Sequence, residues 1–464
     1  MSRRFTRRGL LAAGATSALA GCARDVTNGN DDPTEETTVA TTATTARTTV
    51  ASDPSALDED LSVDHDPETW THYDTEWTAP ATAPPELAFE TLVENLEIPW
   101  DLSFAANGDL FVTERTGRLL RYESGEVVDV TSPANAIDAG AVEPGADEGS
   151  WWVKGGEGGT MGVAAHPNYP DVPVVYLYYT ANASGDAVVN RLSAFDVSVD
   201  DPASTEVSLL EARAHRIHNG GRIAFGPANY LWVCVGDTGE GPLAADPSSL
   251  AGSVLRVTPT GEPAPGNPDR GGNADARIYS MGHRNPQGVD WLPDAGPVAV
   301  EHGPGPDEVN LLGDGGNHGW PTARNPDEYA GSEFRRPVAS TAIEETWAPS
   351  GCRFYAGDAV PGLRNRLLVG CLASQELRVV TLSAPDADLP PLGETGVRHD
   401  EDWMDDRMVA TTHSRLKNDL GRIRHVEQGP NGELYAVVTN RDGRASGDFP
   451  TERDDRLVRL RAAE

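Results

Sequence analysis

Lysine is nearly missing from this chain of 464 residues, occurring only at Lys154 and Lys417, while acidic residues number 72 and the formal charge is -35. A surface so short of positive charge repels nucleic acid and anionic membrane, which excludes polyanion binding as its main role. The same surface stays hydrated at high ionic strength, where its self-repulsion is screened, so a salt-loving source is expected. Aromatic residues are scarce, at 6%. No sustained helical period occurs after residue 86, and the apolar run Gly9 to Ala20 is too brief to span a bilayer. What the chain has in quantity is glycine, 48 residues, and proline, 35. With so few aromatics, that composition fits many short strands joined by turns better than a helical protein.

The N-terminus reads as an address. Arg7-Arg8, with an earlier pair at Arg3-Arg4, precedes the short apolar run in the manner of a twin-arginine signal, and Leu19-Ala20-Gly21-Cys22 resembles a lipobox. Cys22 is then the lipidated first residue of the mature protein. Residues 23 to 85 are rich in Thr, Asp, Glu, Ala and Pro and are expected to be a disordered tether. The domain from residue 86 would thus lie outside the cell, bound to the outer face of the membrane only through its lipid. Of the remaining cysteines, Cys234 reads as a small buried apolar residue. Cys352 and Cys371 flank a Gly- and Pro-containing stretch, and a hairpin centred there would place them opposite each other, so a disulfide between them is expected as an option in an oxidising compartment.

From Glu86 onward a pattern repeats: a short apolar strand, a turn, a second strand of alternating character and often a third led by Gly-Arg. Copies begin at Asp101, Gly162, Gly221, Gly288, Ser350 and Ile423, at intervals of roughly 40 to 75 residues. One such unit cannot bury its apolar faces alone. Radial repetition predicts an all-β, six-bladed β-propeller with four-stranded blades over residues 86–464, closed by pairing Leu87–Val93 with Leu457–Leu460. The long insertions at 130–156 and 261–277 are expected over one face.

The stretch Gly282 to Trp320 gathers the most chemistry. It sets a guanidinium beside an amide at Arg284 and Asn285, crosses one short apolar strand, and ends in the turn Gly303-Pro304 with the acidic pair Asp307 and Glu308 beyond it. One loop offers donors and the other hard oxygen ligands, which suits an anionic cofactor held through calcium. Two other loops, His218-Asn-Gly-Gly-Arg222 and Gly421-Arg422-Ile-Arg424, also lie just before the first strand of a repeat. In a propeller these loops ring the central channel on one face, and the converging arginines call for an anionic ligand.

These residues carry a resemblance. Ile98-Pro-Trp-Asp, Gly156-Glu-Gly-Gly, His218-Asn-Gly-Gly-Arg, Asp246-Pro-Ser-Ser-Leu-Ala-Gly, Gly282-His-Arg-Asn-Pro-Gln-Gly, Glu301-His-Gly-Pro, Gly316-Asn-His-Gly-Trp-Pro, Trp347-Ala-Pro-Ser-Gly and Gly421-Arg-Ile-Arg occur in the order of the glucose/sorbosone dehydrogenase family. The chain resembles that family's soluble quinoprotein glucose and aldose sugar dehydrogenases from about Leu96 to Leu460. The resemblance implies pyrroloquinoline quinone and calcium as cofactors and a small-molecule sugar as substrate, oxidised at its anomeric carbon to a lactone. It implies His218 as catalytic base, Arg284, Asn285, Arg422 and Arg424 as cofactor contacts, and Glu157 in the substrate pocket. It also implies Gly303 and Pro304 as backbone ligands of the calcium at the quinone, with Asp307, Glu308 and the His318 backbone at a second, structural calcium. One departure stands out: Ala373 occupies the place of the family's cofactor-contacting lysine. The runner-up reading is a non-catalytic, calcium-containing propeller that binds an acidic saccharide or surface glycan; a calcium-dependent lactonase stands behind it. The electron acceptor is left unidentified, and a monomer and a homodimer are both open.

Overall fold

A computed structural model describes residues 57, 59–140, 156–184, 187–313 and 315–463. The described chain is almost entirely β, in six sheets, five built from consecutive strands and the last completed by the chain's first strand. Five sheets have four strands and the fifth in sequence order has five, gaining an outer strand at Gly396–His399. Each sheet is a blade whose first strand lines the axis: Pro99–Phe104, Thr160–Ala165, Ile223–Phe225, Pro286–Trp291, Pro349–Tyr355 and Ile423–Gln428. The second strands, such as Leu110–Glu114 and Leu231–Val235, are buried along their whole length because blades cover both of their faces. That is why they read as continuous rather than alternating apolar runs. Adjacent blades share cores, as where Trp232 and Tyr279 meet Trp291 of the next blade. The ring closes as its sequence predicts: Leu87–Val93 pairs antiparallel with Leu457–Ala462, with Leu87 opposite Ala462 and Phe89 opposite Leu460.

One irregularity recurs. In blades 1, 2, 4, 5 and 6 the register shifts near the upper end of the inner strand, between Pro99 and Asp101, Thr160 and Gly162, Pro286 and Gly288, Pro349 and Cys352, and Ile423 and His425. A bulge leaves the extra residue unpaired and turns its side chain off the sheet. The residues released in this way include Trp100, Met161, Gln287 and Arg424, and all four line one recess on the axis.

Three sequence expectations change. Residues 59–85, expected within a disordered tether, run along the ring. Leu61 packs on the core of blades 2 and 3, His65 stacks on Tyr230 at 4.1 Å, and the Asp74 N–H donates to the Pro293 carbonyl at 2.8 Å. Trp77 meets Phe354 edge-on at 5.3 Å, Asn365 Nδ2 donates to the Thr78 carbonyl at 2.9 Å, and Arg415 Nε donates to the Pro85 carbonyl at 2.7 Å. Isolated aromatics and side-chain donors on the ring hold this strap in place of a sheet ladder, so it carries no periodic signal. Second, Cys234, Cys352 and Cys371 are free. The bulge puts Val369 opposite Cys352 and Pro349 opposite Cys371, so the two thiols are out of register. Third, the loop 261–277 follows Val257, the end of its strand farthest from the Val235–Ser253 pair, and so hangs from the face away from His218. The twin-arginine signal, Cys22 and the tether from 23 to 56 lie outside the described residues. Among those described, no helix is long and apolar enough to cross a membrane.

Candidate active site

The recess is framed by the loops that lead into the inner strands and by the turns that follow the second strands. His218 stands at its wall in a left-handed backbone conformation, φ 55°. A bulky residue held there is strained, as functional residues often are. The neighbouring backbone leaves no choice: a Cβ at Gly236 would lie 2.1 Å from the His218 carbonyl oxygen. His218 Nδ1 is 2.8 Å from Asp237 Oδ1. That carboxylate also accepts from the Gly239 N–H at 2.7 Å and, through Oδ2, from Trp320 Nε1 at 2.8 Å. A fixed acceptor facing Nδ1 holds the proton there and leaves Nε2 with its lone pair. The result is an oriented base. Glu157 completes this wall, accepting the His218 N–H at 2.7 Å and pairing with Arg444 at 3.0 Å. Burial acts to raise its carboxyl, but Arg444 and His218 outweigh that and hold it well below the usual range.

Opposite lies the cationic side. Arg284 donates to the His302 carbonyl at 2.8 Å and lies over the Trp320 ring at 5.8 Å. Asn285 is fully buried; its Oδ1 accepts from the Gly220 N–H at 3.1 Å, and its Nδ2 has no partner. Arg422 pairs with Asp442 at 2.8 Å, whereas Arg424 donates to Gln287 at 3.1 Å and keeps its Nε unpartnered. Arg115 adds another buried guanidinium, bonded through Nε to the Gly158 carbonyl at 2.7 Å. Burial, with Arg422 among the repelling neighbours, pushes Arg424 down to about 9 and Arg115 to about 10, against the pull of Asp442. Buried positive charge with idle donors is the complement of an anionic ligand rich in acceptor oxygens. Arg222 does not join this set. It lies under Trp100, at 4.3 Å, and pairs with Asp101 in the lower half of the channel.

The expected metal residues separate into two groups. Gly303 and Pro304 sit in the turn beside Arg284, and among the described residues no hydrogen bond reaches their carbonyl oxygens. Asp307 is engaged by protein donors. Its Oδ1 accepts from His302 Nδ1 and the Gly303 N–H, at 2.7 and 2.9 Å, and its Oδ2 from Thr346 Oγ1 and the amides of Trp347 and Ala348, at 2.6 to 2.8 Å. Five donors exhaust its lone pairs. Glu308 and the His318 carbonyl do come together, bridged by the Tyr329 hydroxyl at 3.3 and 3.0 Å. Asn310 Oδ1 is buried there without a donor, and burial beside Glu301 pushes the Glu308 carboxyl up. Among the described residues no group of three or more His, Cys, Asp or Glu is set to hold a metal ion.

The structure therefore brings His218, Glu157, Arg284, Asn285, Arg422 and Arg424 around one recess and sets Asp307 aside. Asp237, Arg115, Arg444 and Trp320 are the participants that sequence reasoning missed. Asp237, Arg115 and Arg444 lie in the turns after second strands, at Val235-Gly-Asp-Thr-Gly, Glu114-Arg-Thr-Gly and Asn440-Arg-Asp-Gly-Arg. The recurrence of those turns was the available signal.

A family model described as Glucose / Sorbosone dehydrogenase matches residues 96–447. The aldose sugar dehydrogenase YliI of Escherichia coli K12 is 29% identical over 387 residues, covering 79% of this chain and 93% of that protein. Quinoprotein glucose dehydrogenase B of Acinetobacter calcoaceticus is 27% identical over 301 residues, 58% of this chain and 59% of that one. Among solved structures, the PQQ-bound aldose sugar dehydrogenase of Streptomyces coelicolor superposes with a TM-score of 0.61 at 28% identity, covering 82% of this chain and 99% of the other.

Proposed function

Because this chain belongs to the glucose/sorbosone dehydrogenase family, we propose that it oxidises aldoses at the anomeric carbon to lactones with pyrroloquinoline quinone as cofactor. The observation that carries this reading is the pairing of an oriented base, His218 on Asp237, with buried guanidiniums and idle donors across one recess. When bound, the quinone supplies an electrophile that takes hydride from the anomeric carbon. His218 Nε2 accepts the proton of the anomeric hydroxyl, and Asp237 stabilises the imidazolium that results. Arg284 and Asn285 Nδ2 offer donors toward negative charge that grows on acceptor oxygens during transfer. Arg115, Arg422 and Arg424 balance the cofactor's charge, and Glu157 with Arg444 offers hydrogen-bonding groups to sugar hydroxyls.

Ala373 removes one cation that relatives would provide. Gln375, in the same turn, is bonded to the Ser446 N–H at 2.9 Å, and this brings the turn against the loop that carries Arg444. Arg444 is our candidate for the replacement. Calcium fits at the free carbonyls of Gly303 and Pro304, and a second ion at Glu308, Asn310 Oδ1 and the His318 carbonyl. Export and lipid anchoring at Cys22 would place the reaction outside the cell. Against a non-catalytic glycan binder stands Asp237, since a binding surface gains nothing from fixing the tautomer of His218.

Dye-linked oxidation of an aldose panel in high salt, by the purified chain with added quinone and calcium, tests the proposal. Turnover should need both additions and fall by about two to four orders of magnitude in His218→Ala. No turnover, together with no quinone binding by absorbance titration of the folded protein, overturns it.

A further inference from the structure

On the outer half of blade 5, where the strap crosses it, the sheet gathers cations that the recess does not use. Thr381, Thr411 and Arg398 stand directly opposite one another on three neighbouring strands, so their side chains leave the sheet on one face. Arg366, on the next strand in, reaches the same row, its Nη1 donating to Thr381 Oγ1 at 2.6 Å. Alternation along the strands puts Ser383, His413 and Arg415 on that face as well. Arg366, Ser383, Thr411 and His413 are at most 1% exposed, and Arg415 is 6% exposed.

Three guanidiniums so placed repel one another. Among the described residues the one ion pair they make is between Arg415 and Glu86, 3.4 Å apart, and that carboxylate is 76% exposed. Their other bonds go to uncharged oxygens: Arg366 to the Thr82 carbonyl, Arg415 to those of Pro84 and Pro85 at 2.6 and 2.7 Å, and Arg398 to that of Pro390 at 2.8 Å. Burial, with Arg415 as the repelling neighbour, pushes Arg366 down to about 10. The face still holds idle donors. Arg366 Nε, Arg398 Nε and Nη1, and the hydroxyls of Thr411 and Ser383 are buried without a partner. His413 gives its Nε2 proton to the Pro391 carbonyl at 3.0 Å, so its unpartnered Nδ1 carries a lone pair and stands outside this set.

Water would satisfy the hydroxyls and leave the buried charge unopposed. An anion answers both. The two hydroxyls are short and sit close to the sheet, while the guanidiniums reach in from either flank, so a ligand that touches all of them is small. We propose that this face of blade 5 binds a chloride ion. The ion offsets the three arginines and thereby clamps the strap, whose Thr82, Pro84 and Pro85 carbonyls are held by Arg366 and Arg415. None of these residues lines the recess, so the site is separate from the one described above.

Crystals of the full chain soaked in potassium bromide test this, because bromide substitutes for chloride and scatters anomalously. An anomalous peak is expected between Arg366 Nε and the Arg398 guanidinium. In solution, replacing gluconate by chloride at fixed ionic strength should raise the melting temperature of the parent by about 2–4 °C more than that of Arg398→Gln. Arg398 is half-buried on the edge strand of its blade, so this variant should fold. Thr411→Val, which removes one donor and keeps the side chain's shape, should lose part of the same increment. Bromide absent from this face, or an equal chloride increment in the parent and Arg398→Gln, overturns the assignment. An increment larger with phosphate than with chloride overturns the choice of ion.

Discussion

Asp237 decides which nitrogen of His218 carries the proton. With its Oδ2 tied to Trp320 and its Oδ1 to Gly239, the carboxylate cannot swing away, so the ring stays in one tautomer. Asp237→Asn would present an amide that can donate to Nδ1 and move the proton to Nε2, the atom that accepts the sugar's proton in the proposed reaction. We expect kcat to fall by two to four orders of magnitude with KM nearly unchanged, the rate recovering as pH rises. Steady-state kinetics across pH on the folded variant would show this; a loss confined to KM would mean that Asp237 only shapes the pocket. His218, Arg284 and Asn285 were legible in the sequence because each sits in a distinctive motif. Asp237 was not, since an aspartate in a glycine-rich turn is what turns ordinarily contain. Asp307 shows the opposite case. Beside Glu308 it reads as half of an acidic pair suited to a metal, whereas its own carboxylate accepts five hydrogen bonds.

At the scale of elements, six strand-turn-strand units were readable from apolar runs and glycine-rich turns, and the ring closure with them. The bulges were not, because one extra residue in a strand changes no composition, yet they aim Trp100, Met161, Gln287 and Arg424 at the axis. The strap escaped for another reason: its contacts are single side chains separated by polar residues, a pattern that a disordered segment shares. It nonetheless touches blades 2 through 5 in turn and ends at Arg415. Trp77→Ala should cost about 2 kcal/mol, less than a wholly buried tryptophan because this one is half-buried. A chain begun at Glu86 should melt below one begun at Ala56 by more than the single variant does. Scanning calorimetry on the three proteins decides; equal melting temperatures would leave the strap without a stabilising role.

For the whole molecule, charge is divided between inside and outside. Arginines such as Arg115, Arg222 and Arg424 are spent in the buried channel, while a formal charge of -35 leaves the exterior strongly acidic. Self-repulsion of that exterior weakens the fold until salt screens it, over a Debye length that shrinks from ~10 Å at 0.1 M to ~3 Å at 1 M. The melting temperature should therefore rise steadily between 0.1 and 2 M potassium chloride, most steeply at the low end. A flat response by thermal denaturation would show that the charges are too widely spaced to matter.

The layer of bulged side chains also settles the traffic through the ring. Trp100 lies between Arg424 above and Arg222 below, and the recess over it shares no lining residue with the lower cavity of about 180 Å³. The axis is thus a cup with a floor rather than a pipe. In the proposed reaction substrate and product would share the same mouth, so a departing product would stand in the way of the next substrate, and the two would compete for one doorway.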